Sequence, residues 1–125
     1  MKFPAHFPEL CPPASALEAN GEIYRFVAND PPRPGDFLSY HLLGRKYGKG
    51  KRCEACGLSV LLTESAVMLC IQLNPYLRKR HVAKANVAPD WGKIAQTGSI
   101  PHHTWWFPEG KKPECVFEVV QISIS

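Results

Sequence analysis

The chain has 125 residues, 45% of them hydrophobic and 21% charged, and a formal net charge of +4. A length of this order supports one domain with one core; no run reaches the ~18 apolar residues of a membrane span, and Met1-Lys2-Phe3-Pro4-Ala5-His6 lacks the continuous apolar segment of a secretory signal. Twelve prolines and nine glycines exclude long helices, and the mild basicity suits a nucleic acid, a nucleotide phosphate or an acidic protein without choosing among them.

Residues 1–20 are rich in Pro and Ala and carry no periodic pattern. They read as an arm lying over the domain, anchored by Phe3, Phe7 and Leu10, with a single domain over residues 21–125. The first strand is expected at Glu22 to Ala28. Alternation places Ile23, Arg25 and Val27 on one face, and Tyr24 and Phe26 on the other. Asn29-Asp30-Pro31-Pro32 stops it. One or two helical turns are expected between Gly35 and Leu43. The segment Arg45 to Arg52 holds five basic residues and two glycines, the composition of a solvated loop or, more sharply, of a phosphate-gripping one.

A second strand is expected at Gly57 to Thr63, with Leu58, Val60 and Leu62 inward. Thr63 is a good helix N-cap and Glu64 suits a first turn, so a helix should run to about Leu73. Ala66, Leu69, Cys70 and Leu73 follow the helical spacing, and Val67, Met68 and Ile71 make the other sides apolar as well. Asn74-Pro75 ends the helix. A short strand follows at His81 to Val87, then a loop from Pro89 to Ile100 and a closing strand from Cys115 to Ile124. Strands in the majority with one good helix make the fold class α+β.

Glu118 is the most informative residue of the closing strand. It shares a face with Val116, Val120, Ile122 and Ile124, where a lone carboxylate is costly. Arg25 poses the same problem between Ile23 and Val27. Pairing Arg25 with Glu118 across neighbouring strands would solve both, as a structural ion pair or as a site in which Arg25 grips a phosphate and Glu118 stabilises a developing cation.

Five cysteines is an odd number with no regular framework, which reads as free thiols in a reducing compartment. Cys53-x-x-Cys56 has no second paired motif to complete a tetrahedral zinc site, although His102, His103 and Cys115 are potential partners; no metal is expected. A cysteine–histidine nucleophile, with Cys56, Cys70 or Cys115 beside His103, lacks any accompanying oxyanion motif. Neither a Walker loop nor G-x-G-x-x-G is present.

The stretch His102-His103-Thr104-Trp105-Trp106-Phe107-Pro108-Glu109-Gly110 reads as an aromatic loop. His103 and Thr104 offer polar edges beside flat rings, a combination suited to a stacked base or nicotinamide. Glu109 is an acid or base there, or a partner for Lys111 or Lys112. A single-strand nucleic-acid reader would interleave aromatics with basic residues more closely, so that reading is secondary.

In order along the chain, Tyr24-Arg25, Gly57-Leu58-Ser59-Val60, Thr63-Glu64-Ser65-Ala66 and His103-Thr104 with Pro108 precede Glu118. This set resembles the ADP-ribosyltransferase-like fold, most of all the small bacterial toxins of that class delivered by type VI secretion. It is also similar to uncharacterised bacterial and phage-associated proteins with a CGLSV…HHTWW pattern. The resemblance spans roughly residues 22–122. It implies a split β-sheet clasping NAD or a related nucleotide, with Arg25 on a phosphate or ribose and Ser59 along the nicotinamide side. His103 and Thr104 would face the cleft, Trp105 would stack on the base, and Tyr24 and Glu109 would stand among the binding residues. Glu118 would occupy the place of a catalytic glutamate. The chain departs from that pattern in having no Glu-x-Glu or Gln-x-Glu pair and no Ser-Thr-Ser triplet. The function expected is that of a cytoplasmic toxin or modifying enzyme with a nucleotide ligand and a protein target or cognate inhibitor, and no membrane association. The alternatives are a non-enzymatic protein-binding module, such as a phage inhibitor of a host complex, and a small zinc protein.

Overall fold

In the structure, a computed structural model that describes residues 1–122, the elements in chain order are β1 (Leu17–Glu18), β2 (Gly21–Val27), α1 (Arg52–Ala55), β3 (Leu58–Val60), α2 (Glu64–Leu73), β4 (His81–Val87), β5 (Lys93–Gln96), β6 (His103–Trp106) and β7 (Glu118–Val120). Four 3-10 turns lie between them, at Pro34–Phe37, Pro75–Lys79, Pro89–Trp91 and Pro113–Cys115. Each begins with a proline, whose fixed φ suits a first helical position and whose missing N–H costs nothing there.

The strands form two antiparallel sheets, ordered β1-β5-β6-β3 and β2-β4-β7. With α2 as the main helix this is an α+β domain. The sheets meet where Tyr24 and Leu61 exchange backbone hydrogen bonds of 2.8 and 2.9 Å. One core lies between the sheets and includes Ile23, Val27, Ala83, Ala85, Leu58, Val60 and Trp105. A second lies under α2, where Tyr24 and Leu61 meet Ala66, Val67 and Ile71. The β2-β4-β7 sheet is thus covered on both faces, which is why Ile23 and Tyr24, adjacent in sequence, are both buried.

α2 begins as its cap dictates: the Thr63 hydroxyl accepts from the Ala66 N–H at 3.0 Å. Its buried stripe is rotated from expectation. Ala66, Val67 and Ile71 face inward while Leu69 and Leu73 are exposed, because β3 ends at Val60 and the chain turns Leu61, not Leu62, under the helix. The basic segment also ends differently: Arg52 opens α1.

The expected loop from Pro89 to Ile100 contains β5, and the expected aromatic loop contains β6. The two pair as a hairpin, Gln96 opposite His103 and Lys93 opposite Trp106. Both strands are too short for alternation to stand out. Gly92, at φ +109°, makes the entry tight: a Cβ there would run into the carbonyl of Trp106.

The closing strand is shorter than expected. The turn at Pro113–Cys115 continues through Val116, which is in the α-helical region, so strand geometry begins only at Glu118. Ser123 and Ile124, at the expected strand's end, lie outside the described residues.

The first residues contact the rest of the chain, the Glu109 N–H donating to the Lys2 carbonyl at 2.9 Å. Phe3 stacks on Phe7, with ring centroids 5.7 Å apart, and β1 extends the larger sheet. Leu10, expected as an anchor, is 93% exposed. The expectation that all the cysteines are free is corrected: Cys11 and Cys53 form a disulfide that fixes the arm to α1. Among the described residues no helix is long and apolar enough to cross a membrane.

Candidate functional site

Arg25 sits on β2 facing the inter-sheet core, where its cation has to find oxygen atoms. Its Nε donates to the Asp36 carbonyl at 2.9 Å and its Nη1 to the Ser59 carbonyl at 2.8 Å. No carboxylate lies within ion-pair distance of the guanidinium among the described residues. Burial pushes its pKa down to about 10, although the nearby Asp36 carboxylate acts the other way. Arg25 therefore stays charged at neutral pH, and its remaining N–H groups lie at the wall of a cleft.

The cleft encloses about 1040 Å³ and is lined on one side by Arg25, Ser59, His102 and Thr104. The loop after β2 and the basic segment add Tyr40, Arg45, Lys46, Tyr47 and Lys51 to the lining, and the segment after α2 adds Tyr76 and Arg80. Among the described residues the lining thus carries five Arg and Lys cations and two carboxylates, Asp36 and Glu54. Arg45 lies over the Tyr40 ring, 5.3 Å from its centroid, and the Tyr47 hydroxyl meets His41 Nδ1 at 3.1 Å, so the basic segment is folded back on this wall.

Asp36 is not available to a ligand. Its carboxylate accepts from the N–H groups of Ala28 and Arg33 and from the Asn29 amide, at 2.9, 2.9 and 3.1 Å. Burial alone would raise its pKa. The hydrogen bonds from Arg33, Ala28 and Asn29, together with the Arg25 charge, outweigh that and hold it below the usual carboxylate range. Its role is to fix the turn that carries the Asp36 carbonyl to Arg25. Glu54 is exposed and pairs with Lys51 at 3.6 Å.

β3 and β6 pair with Ser59 opposite Thr104. Just before β6, His102 turns back so that its Nε2 lies 2.7 Å from the Ser59 hydroxyl. Its Nδ1 lies 3.1 Å from the Thr97 carbonyl and 3.0 Å from the Thr97 hydroxyl, which in turn meets the Thr104 hydroxyl at 2.7 Å. A carbonyl only accepts, so the Thr97 carbonyl favours the tautomer with the proton on Nδ1, in which Nε2 accepts the Ser59 proton.

Of the expected site residues, Arg25, Ser59 and Thr104 line the cleft and the others do not. The Arg25–Glu118 pair is not made. Arg25 stands in register with Ala83 and Val119, whereas Glu118 stands in register with Lys84 and Tyr24, so strand alternation puts the two charges on opposite faces. Glu118 is exposed at the start of β7. Tyr24 is buried beneath α2 with its hydroxyl 3.2 Å from Glu22. Trp105 and Trp106 are both 0% exposed. Their indole N–H groups donate to the carbonyls of Trp91 and Cys53, each at 2.8 Å, so Trp105 is core and not a stacking surface. His103 Nδ1 meets the Pro101 carbonyl at 2.9 Å, away from any cysteine. Glu109 is exposed and pairs with Lys2, not with Lys111 or Lys112; Lys111 pairs with Asp90 at 2.7 Å.

Cys53 is held in the disulfide, so Cys53-x-x-Cys56 does not offer two thiolates, and no cluster of three or more potential metal ligands occurs among the described residues. Burial pushes the Cys56 thiol up, away from nucleophilic character. No protein-family model, no curated protein and no solved structure matches this chain.

His102, Tyr40, Tyr47 and Arg80 complete the cleft, and sequence reasoning did not select them for it. The doublet His102-His103 flagged the right position, but the phase of β6 decides which imidazole turns inward. The tyrosines carried no pattern of their own.

Proposed function

We propose that the cleft binds the phosphates and rings of a nucleotide, with NAD as the ligand of the ADP-ribosyltransferase-like reading, and that the protein is a toxin or modifying enzyme of that type. The observation that carries the reading is the half-buried Arg25 guanidinium, which makes no ion pair among the described residues, at the wall of a cleft that Arg45, Lys46, Lys51 and Arg80 also line. A partly desolvated cation of this kind gains from an anion that can accept hydrogen bonds, and phosphate meets that need. Tyr40, Tyr47 and Tyr76 supply the aromatic faces that Trp105 does not. In this reading Arg25 and the basic segment neutralise the pyrophosphate, and Ser59 lies along the nicotinamide ribose. Glu54, the cleft's solvent-accessible carboxylate, stands in the role expected of Glu118, stabilising positive charge as nicotinamide leaves.

The compartment proposed is the cytoplasm. There the Cys11–Cys53 bond would be subject to reduction.

Calorimetric titration with NAD, ADP-ribose and inorganic pyrophosphate tests the reading. Saturable binding of NAD and ADP-ribose that weakens as salt is raised supports it. Absence of binding by all three at low salt contradicts it.

A second reading, a protein-binding module, is favoured by one observation: Leu69, Leu73 and Tyr76 are exposed along and just beyond α2. Retention of partner binding after Arg25 and the basic segment are neutralised would select it.

A further inference from the structure

Ser59 is exposed at the cleft, on a strand fixed by β6, and its hydroxyl is 2.7 Å from the Nε2 of His102. The imidazole is oriented on its other side by Thr97, whose carbonyl and hydroxyl both contact Nδ1 and which is itself tied by its hydroxyl to Thr104 and by its N–H to the His102 carbonyl at 3.2 Å. A nucleophile within reach of a base, and a base oriented by a third group, is the arrangement that activates a serine. The third group here is a backbone carbonyl, which fixes the tautomer and can stabilise the imidazolium by accepting its Nδ1 proton in a hydrogen bond. A link that only stapled the hairpin to the sheet would not need it, because Thr97 and Thr104 already tie the loop to β6. Arg25 donates to the carbonyl of Ser59 itself and lines the same cleft, so an anion bound by Arg25 is held in the cleft onto which the Ser59 hydroxyl opens.

We propose that Ser59 is a nucleophile with His102 as its general base. Its substrate class is an electrophilic centre carried next to a phosphate; in the dinucleotide reading above, on which this target rests, the centre is C1′ of the ribose that bears nicotinamide. The Oγ–C1′ bond forms as the C1′–N bond breaks. The electron pair of that bond goes to the ring nitrogen and cancels its positive charge, so nicotinamide leaves neutral. The Ser59 proton goes to His102 Nε2. The product is a chain carrying ADP-ribose on Ser59, and one nicotinamide is released per chain.

Two measurements on the full chain separate the nucleophile from its target. The first is labelling by an alkyl fluorophosphonate, in which the Ser59 oxygen displaces fluoride from phosphorus and its proton again goes to His102. Wild type should be labelled at Ser59, and Ser59→Ala not at all. His102→Ala should be labelled at least ~100-fold more slowly, with partial recovery on adding free imidazole, which a structural role would not give. Unlabelled wild type, or a His102→Ala variant labelled at the wild-type rate while folded by circular dichroism, overturns the proposal. The second is intact-mass measurement after incubation with NAD. One ADP-ribose on Ser59 supports the target. Labelling by the fluorophosphonate with NAD bound but no adduct overturns the glycosyl target. Labelling with no NAD binding overturns the dinucleotide reading and the target with it, and supports the activated serine.

Discussion

Arg25 Nη1 donates to the backbone carbonyl of Ser59 across the junction of the two sheets, at 2.8 Å. This one bond ties a cation of the cleft wall to the strand that carries the Ser59 hydroxyl. It makes the position of Ser59 depend on β2 as well as on β6. Replacing Arg25 by Met should therefore remove two functions at once, anion binding and the register of β3 against β2. Binding of NAD should fall beyond detection, and stability should fall by about 2–4 kcal/mol, since the carbonyls of Asp36 and Ser59 lose a charged donor. Chemical denaturation and calorimetry on the same preparation would measure both.

The basic segment separates binding from folding. Arg45, Lys46 and Lys51 are exposed and border the cleft. Each changed singly to Ala should leave the melting temperature unchanged and weaken NAD or ADP-ribose binding by roughly five- to tenfold at low salt, about 1 kcal/mol each. The effect should shrink as salt is raised, because exposed charges are screened. Wild-type affinity in all three variants at low salt would remove this segment from the site.

Asp36 links stability to acidity. Its folded pKa lies below the ordinary carboxylate value, so its contribution is present above that ordinary value, near 4, and is lost as pH falls through the folded one. Wild type should be more stable than Asp36→Asn at pH 7, by about 1–3 kcal/mol. The difference should narrow below about pH 4 as the wild-type carboxylate is protonated. Urea denaturation of both proteins, followed from neutral pH down through and below the ordinary carboxylate value of about 4, would show it.

Gly92 carries a positive φ and packs against Trp106 and Phe107. An alanine there meets both a strained backbone and the neighbouring strand's carbonyl. Gly92→Ala should cost about 3 kcal/mol or more and be seen as a large fall in melting temperature. Gly98 also has a positive φ, yet a Cβ there meets nothing within 4 Å. Gly98→Ala should cost only about 1–2 kcal/mol.

Trp105 distinguishes the core from the site. Trp105→Phe leaves the Trp91 carbonyl without its indole donor and should cost about 1–3 kcal/mol of stability. Ligand affinity, measured below the unfolding transition, should not change.

Arg25 was legible because a charged residue between Ile23 and Val27 breaks an otherwise apolar face, and that face lies against the core. Its partner was not legible. A period of two places Glu118 on a face, but register decides which face that is relative to Arg25. The turn at Pro113–Cys115, extended by Val116, sets where β7 begins. The same limit applies to Trp105 and Trp106. Neighbours on a strand point to opposite sides, and one of them reaches solvent only if the sheet is uncovered on that side. Here the inter-sheet core takes Trp105, and the turn around Cys53 accepts the Trp106 N–H, so both are buried. α2 was legible through its cap and its apolar content. Its inward stripe was not, since a helix apolar on all sides has no unique face. The cleft itself is built from the loop after β2, the basic segment and the end of the β5–β6 hairpin, segments distant in sequence whose meeting leaves no periodic trace.

The most direct measurement of the central claim is an amide NMR titration of the isotope-labelled chain with NAD. The account predicts saturable shifts clustered at Arg25, Asp36, Arg45 to Tyr47, Ser59 and His102, with the outer face of α2 around Leu69 and Leu73 unmoved. Shifts confined to that outer face, or none at millimolar NAD, would contradict it.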